Sequence, residues 1–373
     1  MAERGNRVAR AGAIAADGSD VAGSGSCAVE LTVGMSMDSL LADAREQALQ
    51  MERAVNTAVV GQARAIRLIL VSVFARGHVL LEGDVGVGKT TLLRCVARAI
   101  GGAYSRIEGT VDLMPSDLVY YTYITEDGQP RVAAGPLLRH GEDLSVFFFN
   151  EVNRARPQVH SLLLRVMAER SVSAFNQDHP LPFLQVFADR NRVEKEETFE
   201  LPAAARDRFA MEVLIERPSE RELQRQLMFD TRFHDTDALV ETVPPAIVPH
   251  ERLGAIAAAV QTHVAGSDRL QDYALDLCTA TARPTEYGIE LSGVDVDDLI
   301  EAGVSPRGSS MLMRAARVQA WLEGRDEMVP EDLRSVYYES IAHRVFFQPV
   351  FELQRAQLVG PFIEAILNRV AAP

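Results

Sequence analysis

Gly83-Asp84-Val85-Gly86-Val87-Gly88-Lys89-Thr90 follows the apolar run His78-Val79-Leu80-Leu81-Glu82 and precedes a segment with helical spacing over 90–100. The eight residues fit G-x-x-x-x-G-K-[ST], and a strand before them and a helix after them is the setting in which that spacing has a physical meaning. Phosphate needs bare backbone, and glycine lets amides turn inward and approach an anion closely. The following helix adds its N-terminal dipole and its free N–H groups. Lys89 is expected to reach the β and γ phosphates of ATP, and the Thr90 hydroxyl to bind Mg²⁺. The expected nucleotide contacts are therefore Gly83, Asp84, Val85, Gly86, Val87, Gly88, Lys89, Thr90 and Thr91. At average glycine frequency a chance match in a chain of this length is about one in a hundred. Asp84 places a negative charge beside the loop, which opposes phosphate unless a cation offsets it.

Outward from the loop, Val146-Phe147-Phe148-Phe149 and Leu184-Gln185-Val186-Phe187 read as buried parallel strands, with a helix over 157–169 between them. Strands alternating with helices predict an α/β core, a parallel sheet flanked by helices. Two segments interrupt the alternation. Residues 120–132 alternate aromatic and polar side chains around Asp127-Gly128, a hairpin signal, and 171–183 reads as a second hairpin turning near 176–179. Helices are expected over 37–56 and 62–75, the second with Ile66, Ile69, Leu70 and Val73 at helical spacing. From about 244 onward the pattern is mostly helical and predicts a separate C-terminal α-helical domain over 244–373, after a core over 35–235. Residues 1–34, rich in Ala, Gly and Ser, read as a disordered leader.

The apolar run at 146–149 ends in Asn150-Glu151. After a phosphate loop such a strand usually ends in two acids, one that orients water on Mg²⁺ and one that polarises the attacking water. Glu151 is in place as the second. Asn150 stands where an aspartate is expected; it can accept a hydrogen bond from metal-bound water but adds no negative charge.

Composition narrows the rest. The 373 residues are 47% hydrophobic and 24% charged, with 38 Lys+Arg against 52 Asp+Glu and a net charge of −14. This balance argues against general affinity for nucleic acid or anionic membrane. Cys27, Cys95 and Cys278 are widely spaced and odd in number, against a disulfide framework or zinc site. The longest clean apolar run, near 68–75, is too short to span a bilayer, and no secretory signal is evident, so a cytoplasmic location is the expectation. His78, His140, His160 and His179 lack metal-ligand spacing, and Trp321 sits in an apolar helical stretch that suits a core residue.

Several motifs in order resemble the MoxR-type AAA+ ATPases over about residues 56–347. Val60-Gly61-Gln62 is similar to the family's opening motif beside the adenine, which makes Gly61 and Gln62 nucleotide-contact candidates. Asp112-Leu113-Met114-Pro115-Ser116-Asp117 and Gly135-Pro136 bracket a hairpin typical of the clade, and Glu151-Val152-Asn153-Arg154 resembles its extended second acidic motif. Leu201-Pro202-Ala203-Ala204-Ala205-Arg206-Asp207-Arg208-Phe209 resembles its arginine-finger segment, and Gly303-Val304-Ser305-Pro306-Arg307 its sensor 2 motif. Gly324-Arg325-Asp326, Pro330-Glu331-Asp332-Leu333 and His343-Arg344 resemble its lid.

By this resemblance Asn191 is the sensor that helps place the attacking water, although Asp189 replaces a threonine and Arg192 a proline beside it. Arg208 is the finger that acts on ATP in a neighbouring subunit, and Arg307 reaches the γ-phosphate of its own subunit. Taken singly, each arginine reads as an exposed salt-bridge partner; the motif context reverses that. The resemblance implies an AAA+ fold with a helical lid, a homo-oligomeric ring, most simply a hexamer, and ATP with Mg²⁺ as cofactors. It also implies a partner with a von Willebrand factor A (VWA) domain and a client protein or complex to be remodelled. The rival reading, motivated by Asn150 and Asp84, is an ATP-binding ring scaffold with little hydrolysis of its own.

Overall fold

Two helices precede the first strand. The computed structural model describes residues 36–191 and 199–373, so the leader read at 1–34 and Arg192 lie outside the described residues. Helix α1 spans Met37–Ala58 and α2 Ala63–Phe74. The Ser36 hydroxyl caps α1 by accepting from the Ser39 amide at 3.2 Å. Leu41, Ala44, Ala48, Met51 and Val55 recur at three and four residues and form its buried face.

The strand, glycine loop and helix follow as β1 (His78–Glu82) and α3 (Lys89–Ile100). Next come β2 (Ala103–Glu108), α4 (Pro115–Val119), β3 (Tyr120–Ile124), β4 (Pro130–Ala134), β5 (Leu144–Asn150) and α5 (Pro157–Glu169). Then β6 (Ser171–Ala174), β7 (Gln177–Pro180), β8 (Gln185–Arg190), α6 (Ala203–Arg206) and β9 (Phe209–Leu214) complete the α/β part. The remainder is α7 (Arg221–Phe229), α8 (Thr236–Glu241), α9 (Leu253–His263), α10 (Asp268–Ala280) and α11 (Val296–Leu299). After these come β10 (Ile300–Ala302), α12 (Pro306–Leu322), α13 (Pro330–Ile341), β11 (Phe346–Phe347), α14 (Pro349–Glu352) and α15 (Arg355–Arg369).

The central sheet has the order β2-β5-β8-β1-β9, and every neighbouring pair is parallel. Its two edge strands, β2 and β9, carry weak sequence signals. Within β2 only Ser105 is buried, so no apolar run marks it, and β9 begins inside the segment read as an arginine finger. The centre is unambiguous. Phe147 and Phe149 pack on one face of the sheet and Phe148 on the other, in two distinct clusters. Each fully buried phenylalanine contributes on the order of 1.5–3 kcal/mol.

Both hairpins form, β3 with β4 and β6 with β7. The second turns at Phe175-Asn176, with φ of 53° and 59°, rather than at 176–179. Two consecutive left-handed residues match the right-handed twist of a two-residue hairpin. Tyr120 meets Phe175 at 5.0 Å between ring centroids, so the two hairpins touch. Tyr121, Tyr123, Ile124, Val132 and Phe175 remain exposed.

The C-terminal helices share their core with α1, α2 and the sheet. Trp321 of α12 stacks edge-on against Phe74 of α2 at 5.2 Å and donates its indole N–H to the Leu41 carbonyl of α1. Past α13, His343 Nε2 lies 3.1 Å from the Phe209 carbonyl, and Arg344 Nη1 donates to the Ala210 carbonyl at 3.0 Å. Among the described residues no helix is long and apolar enough to cross a membrane.

Candidate nucleotide site

The loop between β1 and α3 closes over the carboxyl end of the sheet. Gly88 caps α3 with φ 89°, a left-handed conformation that glycine adopts without penalty. A Cβ on Gly83 would stand 2.3 Å from the Ile215 carbonyl oxygen, so only glycine lets the loop start this close to β9's exit. Around Gly86 and Gly88 the corresponding space is open, which leaves the loop's backbone accessible to an anion. Gln62 donates to the Glu216 carbonyl at 2.5 Å and Gly61 lies against Pro218. The opening motif and the glycine loop therefore flank one segment, residues 215–218. Asp84 and Thr90 are half-buried and Val85 is exposed.

Lys89 is the centre of the site. Its ammonium, 7% exposed as a residue, donates to the Gly83 carbonyl at 2.7 Å and the Asn191 Oδ1 at 2.8 Å, and pairs with Asp189 at 2.9 Å. Asn191 in turn donates to Glu151 Oε1 at 3.2 Å, and Glu151 Oε2 accepts from Arg154 at 3.0 Å. Glu151 itself is left-handed, with φ 53°. One chain of contacts thus joins the loop, the end of β8 and the end of β5. Beside it, Arg190 bridges Glu82 at 2.5 Å and Glu212 at 2.7 Å, tying together β1, β8 and β9. Burial pushes the Glu212 carboxyl up to about 7 against the pull of Arg190.

Asp189 was not singled out as a site residue from the sequence. It is 1% exposed and accepts from Lys89, from the Glu151 amide at 2.5 Å and from Asn150. In the amide orientation that satisfies its neighbours, Asn150 donates to the two Asp189 oxygens at 3.1 and 3.2 Å and accepts from Arg106 at 3.1 Å. The acceptor expected to face metal-bound water is thus occupied by Arg106. Burial raises the Asp189 carboxyl above its ordinary range, and Lys89 and the Glu151 amide oppose that. The donor set suits a hard divalent cation: the Thr90 hydroxyl opens α3, and a carboxylate lies beside the loop lysine. Asp189 was legible only as a departure from a family pattern, because its strand position says nothing of what faces it.

Of the two arginines expected to act on phosphate, Arg307 reaches Asp207, the residue before Arg208, and Arg208 does not. Arg307 Nη1 donates to Asp207 Oδ2 at 3.1 Å and the Ser305 hydroxyl to Oδ1 at 2.7 Å. Arg344, fully buried, donates to the same carboxylate at 3.2 Å. Burial brings Arg344 down to about 10, with Asp207 pulling the other way. Arg208 donates to the Ala204 carbonyl at 2.9 Å and is half-buried. Among the described residues, neither Arg208 nor Arg307 hydrogen-bonds to the Lys89 cluster. Among the histidines, His78 and His160 are buried, with ring nitrogens 3.1 and 2.7 Å from the backbone carbonyls of Met167 and Val152. Burial holds His78 at about 3 and therefore neutral.

A parallel sheet with a glycine loop at its carboxyl end, a lysine buried behind that loop and a helical region against the sheet defines a P-loop ATPase of the AAA+ class. Residues 78–211 match the model of the ATPase family associated with various cellular activities (AAA), and 294–360 match the AAA lid domain. Protein MoxR of Methylorubrum extorquens is 60% identical over 336 residues, covering 90% of this chain and 98% of that one. Protein MoxR of Paracoccus denitrificans is 54% identical, covering 90% and 99%. A crystal structure from Cytophaga hutchinsonii superposes with a TM-score of 0.74 at 30% identity, over 91% of this chain and all of that one. The chain belongs to the MoxR family of AAA+ ATPases.

Proposed function

We propose that this protein is a chaperone-like motor that hydrolyses ATP in a homo-oligomeric ring, most simply a hexamer, to remodel or activate a partner complex. The Lys89–Asn191–Glu151 chain is the observation that supports the reading best. It links the group placed to bind phosphate, the group placed to hold a water and the general base. In this reading Gly83 to Thr91 cradle the phosphates, Gly61 and Gln62 border the adenine, and Glu151 takes a proton from the attacking water. Mg²⁺, when bound, would offset charge on the β and γ phosphates. Arg208 would stabilise transition-state charge across the subunit boundary, a physical reason for assembly. Arg307 would leave Asp207 for the γ-phosphate of its own subunit and move the helical lid.

The relative named Chaperone MoxR1, from Mycobacterium tuberculosis, is 35% identical over 295 residues and accords with work on other proteins. A partner with a VWA domain rests on family resemblance, and the exposed hairpin aromatics are the surface on which motion would reach a client. The scaffold alternative is favoured by the neutral amide at position 150 and the negative charge of Asp84 in the loop.

Steady-state hydrolysis over a range of protein concentrations tests the reading. Turnover should rise with assembly and fall about 100-fold or more in Glu151→Gln. If the wild type is silent but Asn150→Asp turns over, the scaffold reading gains. Silence in all variants, with ATP still bound, would remove the motor reading for the isolated chain.

A further inference from the structure

The acid missing at position 150 has a replacement one strand away. We infer that Asp189 is the carboxylate of the magnesium–nucleotide site, and that Asn150 is its complement rather than a defect. The inference rests on the proposed ATPase reading and deepens it.

Topology carries the first part of the argument. β8 lies between β5, which ends in Asn150, and β1, which enters the glycine loop. Phe149 is registered with Ala188, and Leu81 with Asp189. A carboxylate at 189 therefore sits between the position where an acid is expected and the loop itself. It reaches Lys89 at 2.9 Å, and the Asn150 amide nitrogen lies 3.1 and 3.2 Å from its two oxygens.

Charge carries the second part. An aspartate at 150 would put two carboxylates in direct contact, and two such groups about 3 Å apart do not both ionise. Asparagine has nearly the same shape and turns that repulsion into a donated hydrogen bond shared by the two Asp189 oxygens. The acid is thus carried by the neighbouring strand, with the count of negative charge conserved. Arg106, which closes the pair by donating to Asn150, fixes which way the amide faces.

Lys89 gives the arrangement a resting state. With its ammonium on Asp189, the buried carboxylate is compensated. When Lys89 engages phosphate, Asp189 loses that partner and becomes a carboxylate behind the loop free to attract a divalent cation or its water shell.

The test is reciprocal exchange. Binding of a fluorescent ATP analogue is measured in EDTA and in Mg²⁺ for the wild type, Asp189→Asn, Asn150→Asp and the double exchange Asn150→Asp/Asp189→Asn, with thermal melting of each. Asp189→Asn should lose about 10- to 100-fold of the Mg²⁺-dependent gain in affinity. In EDTA its affinity should hold or tighten, because Lys89 is released. The double exchange should recover the gain. A folded Asp189→Asn protein with an unchanged Mg²⁺ dependence would overturn the inference, as would a folded double exchange without recovery. Should Asp189→Asn not fold, the double exchange decides alone by the same readout. Failure of the wild type to bind the analogue under either condition would instead overturn the nucleotide reading itself.

Discussion

Asp189 and Asp207 each gather donors, but from different supports. The donors on Asp189 come from the first residue of α3, the end of β5 and the backbone of Glu151, all attached to the central sheet. Those on Asp207 are Ser305 and Arg307 at the start of α12 and Arg344 after α13, all from the helical region. The first cluster is closed: Asp189 is 1% exposed and its partners are strand ends. The second is graded. Arg344 is buried and also donates to the carbonyls of Asp207, Phe209, Ala210 and Ser340, whereas the Arg307 side chain is 50% exposed and, among the described residues, hydrogen-bonds to Asp207 alone. A site that must hold charge in fixed geometry is built on the sheet. The joint on Asp207 has one arginine anchored and the other held by a single half-exposed contact, worth at most about 1 kcal/mol, which suits the proposed release of Arg307.

The strongest way to sharpen that contrast is to remove the finger beside the joint. Arg208→Ala should lower turnover about 1000-fold, while ATP affinity and melting stay at wild-type values, as the proposed action on a neighbour's nucleotide requires. Mixing this variant with Glu151→Gln subunits should restore part of the turnover, because some interfaces then hold an intact base and an intact finger. No recovery on mixing would place Arg208 in its own subunit's site.

A second change attacks the joint itself. Asp207→Asn should lower stability by about 2–4 kcal/mol, read by thermal or denaturant unfolding, because buried Arg344 loses its countercharge. The Asn150→Asp/Asp189→Asn exchange, which conserves charge, should cost far less. Equal losses would mean that the two aspartates are structural in the same way. The smallest effect belongs to the hairpin surface. Changing Tyr121 and Tyr123 together to Ser should shift stability by about 0.5 kcal/mol or less and leave client-free turnover unchanged, with any loss confined to assays that contain a partner.

The amino-acid sequence by itself determined the α/β class, the phosphate loop and both hairpins, because these are written in local chemistry. Glycines at fixed offsets, period-2 and 3.6-residue patterns and Asp127-Gly128 need only near neighbours to act. The central strands were legible because burial on both faces demands continuous apolar residues, as at Phe147, Phe148 and Phe149. The edge strand β2 was not, since only Ser105 is buried in it, and β9, although Phe209, Ala210, Met211 and Val213 are buried, begins inside the segment read as an arginine finger. Only the tertiary structure decided that Asp189 faces Asn150 and Lys89, and that Asp207 gathers Arg307 and Arg344. These partners lie 39 and 100 residues or more apart in the chain, or are brought together by parallel register, and electrostatic pairing depends on distance in space, which no local pattern encodes.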